Sequence, residues 1–259
     1  VRIARIVHPT GTMSFAVLAG EGPGALAAEI EGHPFGEITP TGQRWALEDV
    51  RLLAPILPSK VVCVGRNYAE HAAELGNEVP KEPLVFLKPS TSVIGPSEQI
   101  RLPAVSDQVE HEAELAVVIG LHGARGLDRE AAKDAIFGYT CANDVTARDL
   151  QRQDVQFTRA KGFDSFCPLG PWIETDFDPS DAEVRCEVNG EVRQLGTTAD
   201  MMFDPASLVA YVSQIMTLLP GDVVLTGTPA GVGPIQAGET VSVSVAGIGT
   251  LSNKVVPSE

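Results

Sequence analysis

Three glutamates at alternate positions, Glu110, Glu112 and Glu114, open the stretch VEHEAELAVVIG at residues 109–120. Alternation that passes into an unbroken apolar run is the pattern of a β-strand entering a buried sheet. Side chains on a strand point to opposite faces in turn, so the three carboxylates share one face. Neighbours in that row stand about 6.6 Å apart at Cα, from roughly 3.3 Å of rise per residue. Carboxylates that close repel one another, and a buried one is costly without a compensating cation or hydrogen-bond donor. Clustered carboxylate oxygens suit a hard divalent cation such as Mg²⁺. The same pattern also describes an edge strand with a solvated acidic face, and these residues alone leave the two readings level.

Further groups with chemical potential follow the same logic. Asp144, in YTCANDVTARDLQ, ends a short strand-like segment some 30 residues beyond Glu114. A crossover of that length can return a strand beside its predecessor, where Asp144 would complete a three-carboxylate site with Glu112 and Glu114. Asn143-Asp144 reads equally well as a simple turn. In GRNYAEHAAELG (65–76), good helix formers run from Tyr68 to Leu75 and Gly76 sits where a helix stop belongs. His71 and Glu74 then lie one turn apart, and a carboxylate there can hold the imidazole tautomer and raise its basicity. An ordinary pair on an amphipathic surface helix is the plainer reading. Lys161 sits in AKGFDSFCPLGPW, among aromatic and small residues where a solvated lysine is less expected. The glycines of LTGTPAGVG can bring backbone N–H groups to an anion, or serve turns only.

The elements that must position these groups read as mostly short strands. Segments 2–7 and 13–19 flank HPTGT as a hairpin, and loop-rich sequence follows to about residue 55. Residues 1–55 are therefore expected to form a small β-rich N-terminal domain without catalytic groups. LLAPILPSK, with two prolines, marks the boundary to a second domain over 56–259. There, 60–64 reads as a buried strand and PLVFLK as another, carrying Lys88. A helix from 129 is capped by Asp128 and stopped by Gly138. Asn189-Gly190 is a hairpin tip, and a helix runs from Asp204-Pro205 to about Leu218. Two strands in VSVSVAGIGTLSNKVV close the chain.

Composition bounds the function. The 259 residues carry 19 basic and 34 acidic side chains, a net charge of −15, which argues against nucleic acid. No apolar run approaches the ~18 residues of a membrane span, and VRIARIVHP has no signal-peptide core. Cys63, Cys141, Cys167 and Cys186 are far apart in sequence and form no CxxC pair. They read as small buried apolar groups in a reduced, cytoplasmic protein. An anionic substrate would need local positive charge that the overall balance does not supply.

Taken in order, GRNYAEHAAE, FLKPSTSVIGP, EHEAELAVVIG, GYTCANDVTARDLQ, RAKGFDSFCPLGPW, VNGEVRQ and LLPGDVVLTGTPAGVG resemble the fumarylacetoacetate hydrolase family over residues 58–256. One such motif would be weak; seven in order are specific. The leading 55 residues look like the small variable domain of many bacterial members, and Phe157 stands where members often carry Trp. The resemblance implies an α+β, mainly β fold: a mixed β-sandwich roll with the small N-terminal β-rich domain. It implies Glu112, Glu114 and Asp144 as ligands of Mg²⁺ or Mn²⁺, with Glu110 just outside them. His71 and Glu74 match a catalytic dyad on a lid helix, and Lys161 a further catalytic group. Arg66, Arg148, Gln151 and Thr228 match substrate-binding positions. A homodimer is implied as well.

The chemistry expected from that resemblance is enolate chemistry on a 2-oxo acid. A divalent ion, as Lewis acid, stabilises the enolate, and Lys161 and Gln151 add donors to the growing charge. With His71 activating water, the outcome is hydrolysis of a C–C bond in an acylpyruvate-type substrate, the first expectation. Isomerisation of a 2-hydroxyhepta-2,4-diene-1,7-dioate or decarboxylation of an oxaloacetate-type diacid are alternatives on the same groups. A metal- or metabolite-binding module without catalysis is the reading from another class. Glu112→Ala and Glu114→Ala are both expected to lose metal while staying folded, since they remove ligands rather than core.

Overall fold

The computed structural model describes residues 1–74, 76 and 79–257. Its centre is an antiparallel pair, Ala113–Ile119 beside Ile136–Asn143, in register from Ala113↔Asn143 to Val118↔Gly138, with a shift before Ile119↔Ile136. The connection between them carries the helix Arg129–Asp134, whose Asp128 cap accepts a hydrogen bond from Ala131 N at 2.9 Å. Cys167–Glu174 flanks this pair on one side and Val223–Leu225 on the other. Val61–Val64 then adds in parallel to Val223–Leu225, and Val85–Lys88 closes that edge, so the sheet is mixed.

Side-chain alternation along Ala113–Ile119 divides the core. Leu115, Val117 and Ile119 face a second, five-stranded sheet and pack with Val184, Cys186, Val241, Val243 and Leu251. Ala116 and Val118 face the opposite side, against Val61, Cys63, Leu169, Ile173 and Leu225. A strand covered on both faces must be apolar throughout, which is why the run after Glu114 contains no polar residue. Glu112 and Glu114 lie in phase with Ala116 and Val118, at the end of the strand where the second face opens to a cavity. The four cysteines are free and buried, and no described helix is long and apolar enough to cross a membrane.

The first 55 residues make five strands, Arg2–Val7, Met13–Ala19, Leu26–Ile30, Pro40–Ala46 and the short Arg51–Leu52. Their own apolar cluster joins Ala4, Ile6, Ala16, Leu18 and Ala27 to Trp45. They continue the large sheet, because Arg2 and Ile3 pair with Glu174 and Ile173.

Three local expectations are corrected. The 109–120 stretch is two strands: Val109–His111 joins a small sheet with Thr146–Ala147 and Gly233–Pro234, and the ladder breaks at Glu112. The helix from Pro205 ends at Ile215, because Leu218 leaves it to bridge Ala124. Gly138 stops no helix. It lies inside Ile136–Asn143, where an added Cβ would stand 2.6 Å from Glu174 O and 2.7 Å from Ile173 Cγ2. Gly138→Ala is therefore expected to destabilise the fold by about 1–3 kcal/mol, the usual cost of overpacking, and urea unfolding measures it. At Asn189-Gly190 both residues have positive φ (53° and 81°), as a tight two-residue hairpin requires.

Candidate active site

The break at Glu112 is what builds the site. Glu112 N receives its partner from a side chain, Asn143 Oδ1 at 3.0 Å, while Glu112 O accepts from Asp144 N at 2.9 Å. Asn143 thus patches the ladder where the strand bends, and Asp144 is drawn against Glu112. Glu112, Glu114 and Asp144 are all buried, and one carboxylate oxygen from each lies within 4.8 Å of the others. Among the described residues this is the acidic group arranged to hold a metal ion.

Cations surround the cluster. Lys161, from the short helix Thr158–Lys161, donates to Glu112 Oε2 at 2.8 Å and Asp144 Oδ2 at 2.7 Å. Its ammonium lies 5.1 Å from the centre of the Phe86 ring, which Phe157 meets edge-on. Arg148 donates from Nη2 to Glu112 Oε1 (2.6 Å), from Nε to Glu110 Oε2 (2.7 Å) and from Nη1 to Gln151 Oε1 (2.6 Å). Lys88, with no exposed surface, donates to Asp144 Oδ1 and to Val145 O. Four buried carboxylates, Glu110 included, thus face three buried cations.

The imbalance falls on Glu114. Burial, then the charges of Asp144 and Glu112, push its carboxyl well above the usual range, although Gly227 N donates to it at 2.6 Å. Burial would also raise Glu112, but Lys161 and Arg148 override it and hold that carboxyl far below the ordinary value. Burial alone would lower Lys161; Asp144 and Glu112 more than offset it, so the group stays an ammonium. A hard divalent cation fits this donor set: three carboxylate oxygens converge, one of them on a residue disfavoured as an anion without it.

The dyad sits across the cavity. On the helix Ala69–Glu74, His71 Nδ1 lies 3.2 Å from Glu74 Oε2, and Gly231 N donates to both Glu74 oxygens at 3.0 and 3.2 Å. An ionised carboxylate only accepts, so Nδ1 carries the hydrogen and Nε2 is left as a base. Gly76 has the expected left-handed conformation (φ 68°), and Leu75 lies outside the described residues. A cavity of about 410 Å³ is lined by Arg66, His71, Glu74, Glu112, Arg148, Gln151 and Lys161, together with Gly65, Arg152 and Phe157.

Thr228 is placed differently from the other candidates. It is 2% exposed, donates to Ala113 O at 2.8 Å and accepts from Gln194 Nε2 at 2.7 Å, so its hydroxyl serves the strand beneath the site. Sequence reasoning missed Lys88, Arg152 and Gln194 as site residues. For Lys88 the signal was present, a lysine closing the apolar run VFLK, but its partner lies 56 residues away. Gln194 closes the motif VNGEVRQ and otherwise shows no local signal beyond its place in a hairpin arm.

The family model Fumarylacetoacetate (FAA) hydrolase C-terminal matches residues 60–256, and the model Rv2993c-like, N-terminal matches residues 1–55. Protein Rv2993c of Mycobacterium tuberculosis is 56% identical over 99% of this chain and 98% of its own. The crystal structure of 5-carboxymethyl-2-hydroxymuconate delta-isomerase from Mycobacterium smegmatis superposes with a TM-score of 0.93. It is 55% identical, over 99% of this chain and all of that one (100%). The mitochondrial oxaloacetate decarboxylase of Dictyostelium discoideum is 45% identical over 74% of this chain and 90% of its own.

Proposed function

Since the chain belongs to the fumarylacetoacetate hydrolase family, we propose that it is a divalent-metal-dependent enzyme that converts a 2-oxo diacid through its enolate. Proton transfer or loss of CO₂ comes ahead of hydrolysis in this reading. The observation that carries it is the convergence on one cavity of an imidazole base, a fixed ammonium and Glu112, behind which Glu114 and Asp144 complete the buried three-carboxylate cluster. The names of the isomerase and decarboxylase relatives support the reaction class.

Glu112, Glu114 and Asp144 would hold Mg²⁺ or Mn²⁺, which supplies Lewis-acid stabilisation of negative charge on a carbonyl oxygen. Lys161 donates to the oxygen where that charge grows; held as an ammonium, it does not act as the base. His71 Nε2 takes or returns the proton at the substrate carbon, and Glu74 stabilises the imidazolium so formed. Gly231 fixes Glu74, and through it the ring. Arg148 is spent on Glu110 and Glu112, so it keeps Glu112 ionised rather than meeting substrate first. Arg66 and Arg152 on the cavity wall supply positive charge for the distal carboxylate, which a protein of net charge −15 must concentrate locally.

Hydrolysis of an acylpyruvate-type substrate is the second reading. The His71–Glu74 pair favours it, because a base held in one tautomer suits activation of water. Purified protein with Mg²⁺ or Mn²⁺ should be assayed against oxaloacetate, a 2-hydroxydienedioate and acylpyruvates, with and without chelator. Metal-dependent turnover of a diacid is expected. Tight metal binding with no turnover across the panel would overturn the proposal in favour of a binding module. The homodimer and the cytoplasmic setting belong to the same proposal, and sedimentation tests the first.

A further inference from the structure

In the strand Glu191–Thr197 the usual burial pattern is inverted. Val192 and Leu195 are exposed (42% and 59%), and the one fully buried side chain is an amide, Gln194. All four of its hydrogen-bonding positions are used. Oε1 accepts from His111 Nδ1 at 2.8 Å and from Ala113 N at 3.0 Å. Nε2 donates to Thr228 Oγ1 at 2.7 Å and to Pro229 O at 2.8 Å. A backbone N–H on one side and a backbone carbonyl on the other leave only one orientation for the amide.

The two ends of this amide reach different halves of the site. Ala113 lies between Glu112 and Glu114, and its N–H and C=O are both held from this side, by Gln194 and Thr228. Thr228 and Pro229 lie in the loop whose Gly231 N holds Glu74, and Glu74 holds His71. Gly231 itself is pressed on the same strand: an added Cβ there would stand 2.3 Å from Arg193 O. Earlier in the loop, Gly227 N holds Glu114.

We propose that Gln194 is a positioning residue that couples the carboxylate strand to the loop that holds the dyad through Gly231. Cation binding at Glu112 and Glu114 and placement of His71 are thereby one linked event. The inference rests on the function proposed above for its catalytic meaning, but the mechanical link stands on these contacts alone. Linkage is reciprocal, so metal should order the dyad helix and loss of the link should weaken metal.

Gln194→Met keeps side-chain length and removes all four bonds. Hydrogen exchange of segments 69–74 and 227–233 should be followed without and with Mn²⁺, beside Mn²⁺ affinity by calorimetry and kcat and KM on oxaloacetate. In the parent, Mn²⁺ should slow exchange in 69–74. In Gln194→Met, metal-free exchange of both segments should quicken at least about tenfold, and Mn²⁺ affinity should fall about 10–100-fold, as for lost outer partners of a metal site. Mn²⁺ should then still protect 112–114 but no longer 69–74, and at saturating Mn²⁺ kcat should fall more than KM rises. Exchange of 69–74 unchanged in the folded variant, with and without metal, would overturn the coupling. If Gln194→Met does not fold, Thr228→Val cuts the same link at one atom and carries the same comparison. If the parent binds no Mn²⁺, the proposed function fails, and the metal-free exchange still decides the link.

Discussion

Glu114→Gln is expected to abolish tight binding of Mn²⁺ or Mg²⁺ while leaving the metal-free protein at least as stable as the parent. The variant removes a charged ligand, so affinity should fall more than the roughly 10–100-fold typical of lost outer-sphere partners. Its effect on the metal-free fold has the opposite sign, because Glu114 is buried beside two like charges that push its carboxyl up. For a group whose folded pKa is raised, the stabilising contribution is present below the ordinary carboxylate range and lost as pH rises through the raised value. The metal-free parent should therefore lose stability as pH rises above the ordinary carboxylate range, and Glu114→Gln should lose less.

Glu112→Gln should behave in the contrary way. Lys161, Arg148 and Thr146 all donate to Glu112, and its carboxyl is held low. Its contribution is present above the ordinary carboxylate value and is lost only as pH falls through the depressed one. Removing the charge leaves two buried cations short of a partner, at about 3–5 kcal/mol for a broken buried pair. The expectation from sequence, that Glu112→Ala and Glu114→Ala lose metal while staying folded, drew no such distinction between the two positions. Urea unfolding of metal-free protein at two pH values, with calorimetric titration of Mn²⁺, measures both effects. Equal destabilisation by the two variants would refute this division of charge.

The second large effect separates the chemistries. His71→Ala should lower acylpyruvate hydrolysis about 10²–10⁴-fold, the usual contribution of a positioned base. Decarboxylation of oxaloacetate should suffer less, because its carbanion forms by loss of CO₂ without an attacking water. Lys161→Met should depress both, since negative charge grows on the same oxygen in each. Rates for both substrates belong on the same preparations at saturating metal. Equal losses for His71→Ala on the two reactions would assign His71 to placing substrate, together with the helix it stands on.

Much of this was legible because it is local. Alternation at 109–120 exposed the carboxylates, the i,i+3 spacing exposed His71 and Glu74, and the capping Asp128 and Asp204 announced their helices. The motifs supplied the rest of the candidate set, and the cavity brings together His71, Glu74, Lys161, Arg66, Arg148, Gln151 and Glu112. What misled was also local. Gly138 looks like a helix stop to any rule confined to neighbours, whereas the contact that demands glycine comes from Glu174, one strand away.

The sequence by itself determined which chemistry is available: oxygen ligands, one imidazole with its carboxylate, and a lysine in apolar company. These follow from residue type and from the periods of strand and helix, which short windows contain. Only the tertiary structure decided how the charges are shared. That Lys88 and Lys161 both serve Asp144, that Arg148 secures Glu112, and that Glu114 is left as the disfavoured anion depend on partners 17 to 56 residues apart. Coulomb energy depends on distance in space and on the dielectric made by burial, and neither is a property of position along the chain. For the same reason Gln194 is mute in its own hairpin and becomes informative only where His111, Ala113, Thr228 and Pro229 close around it.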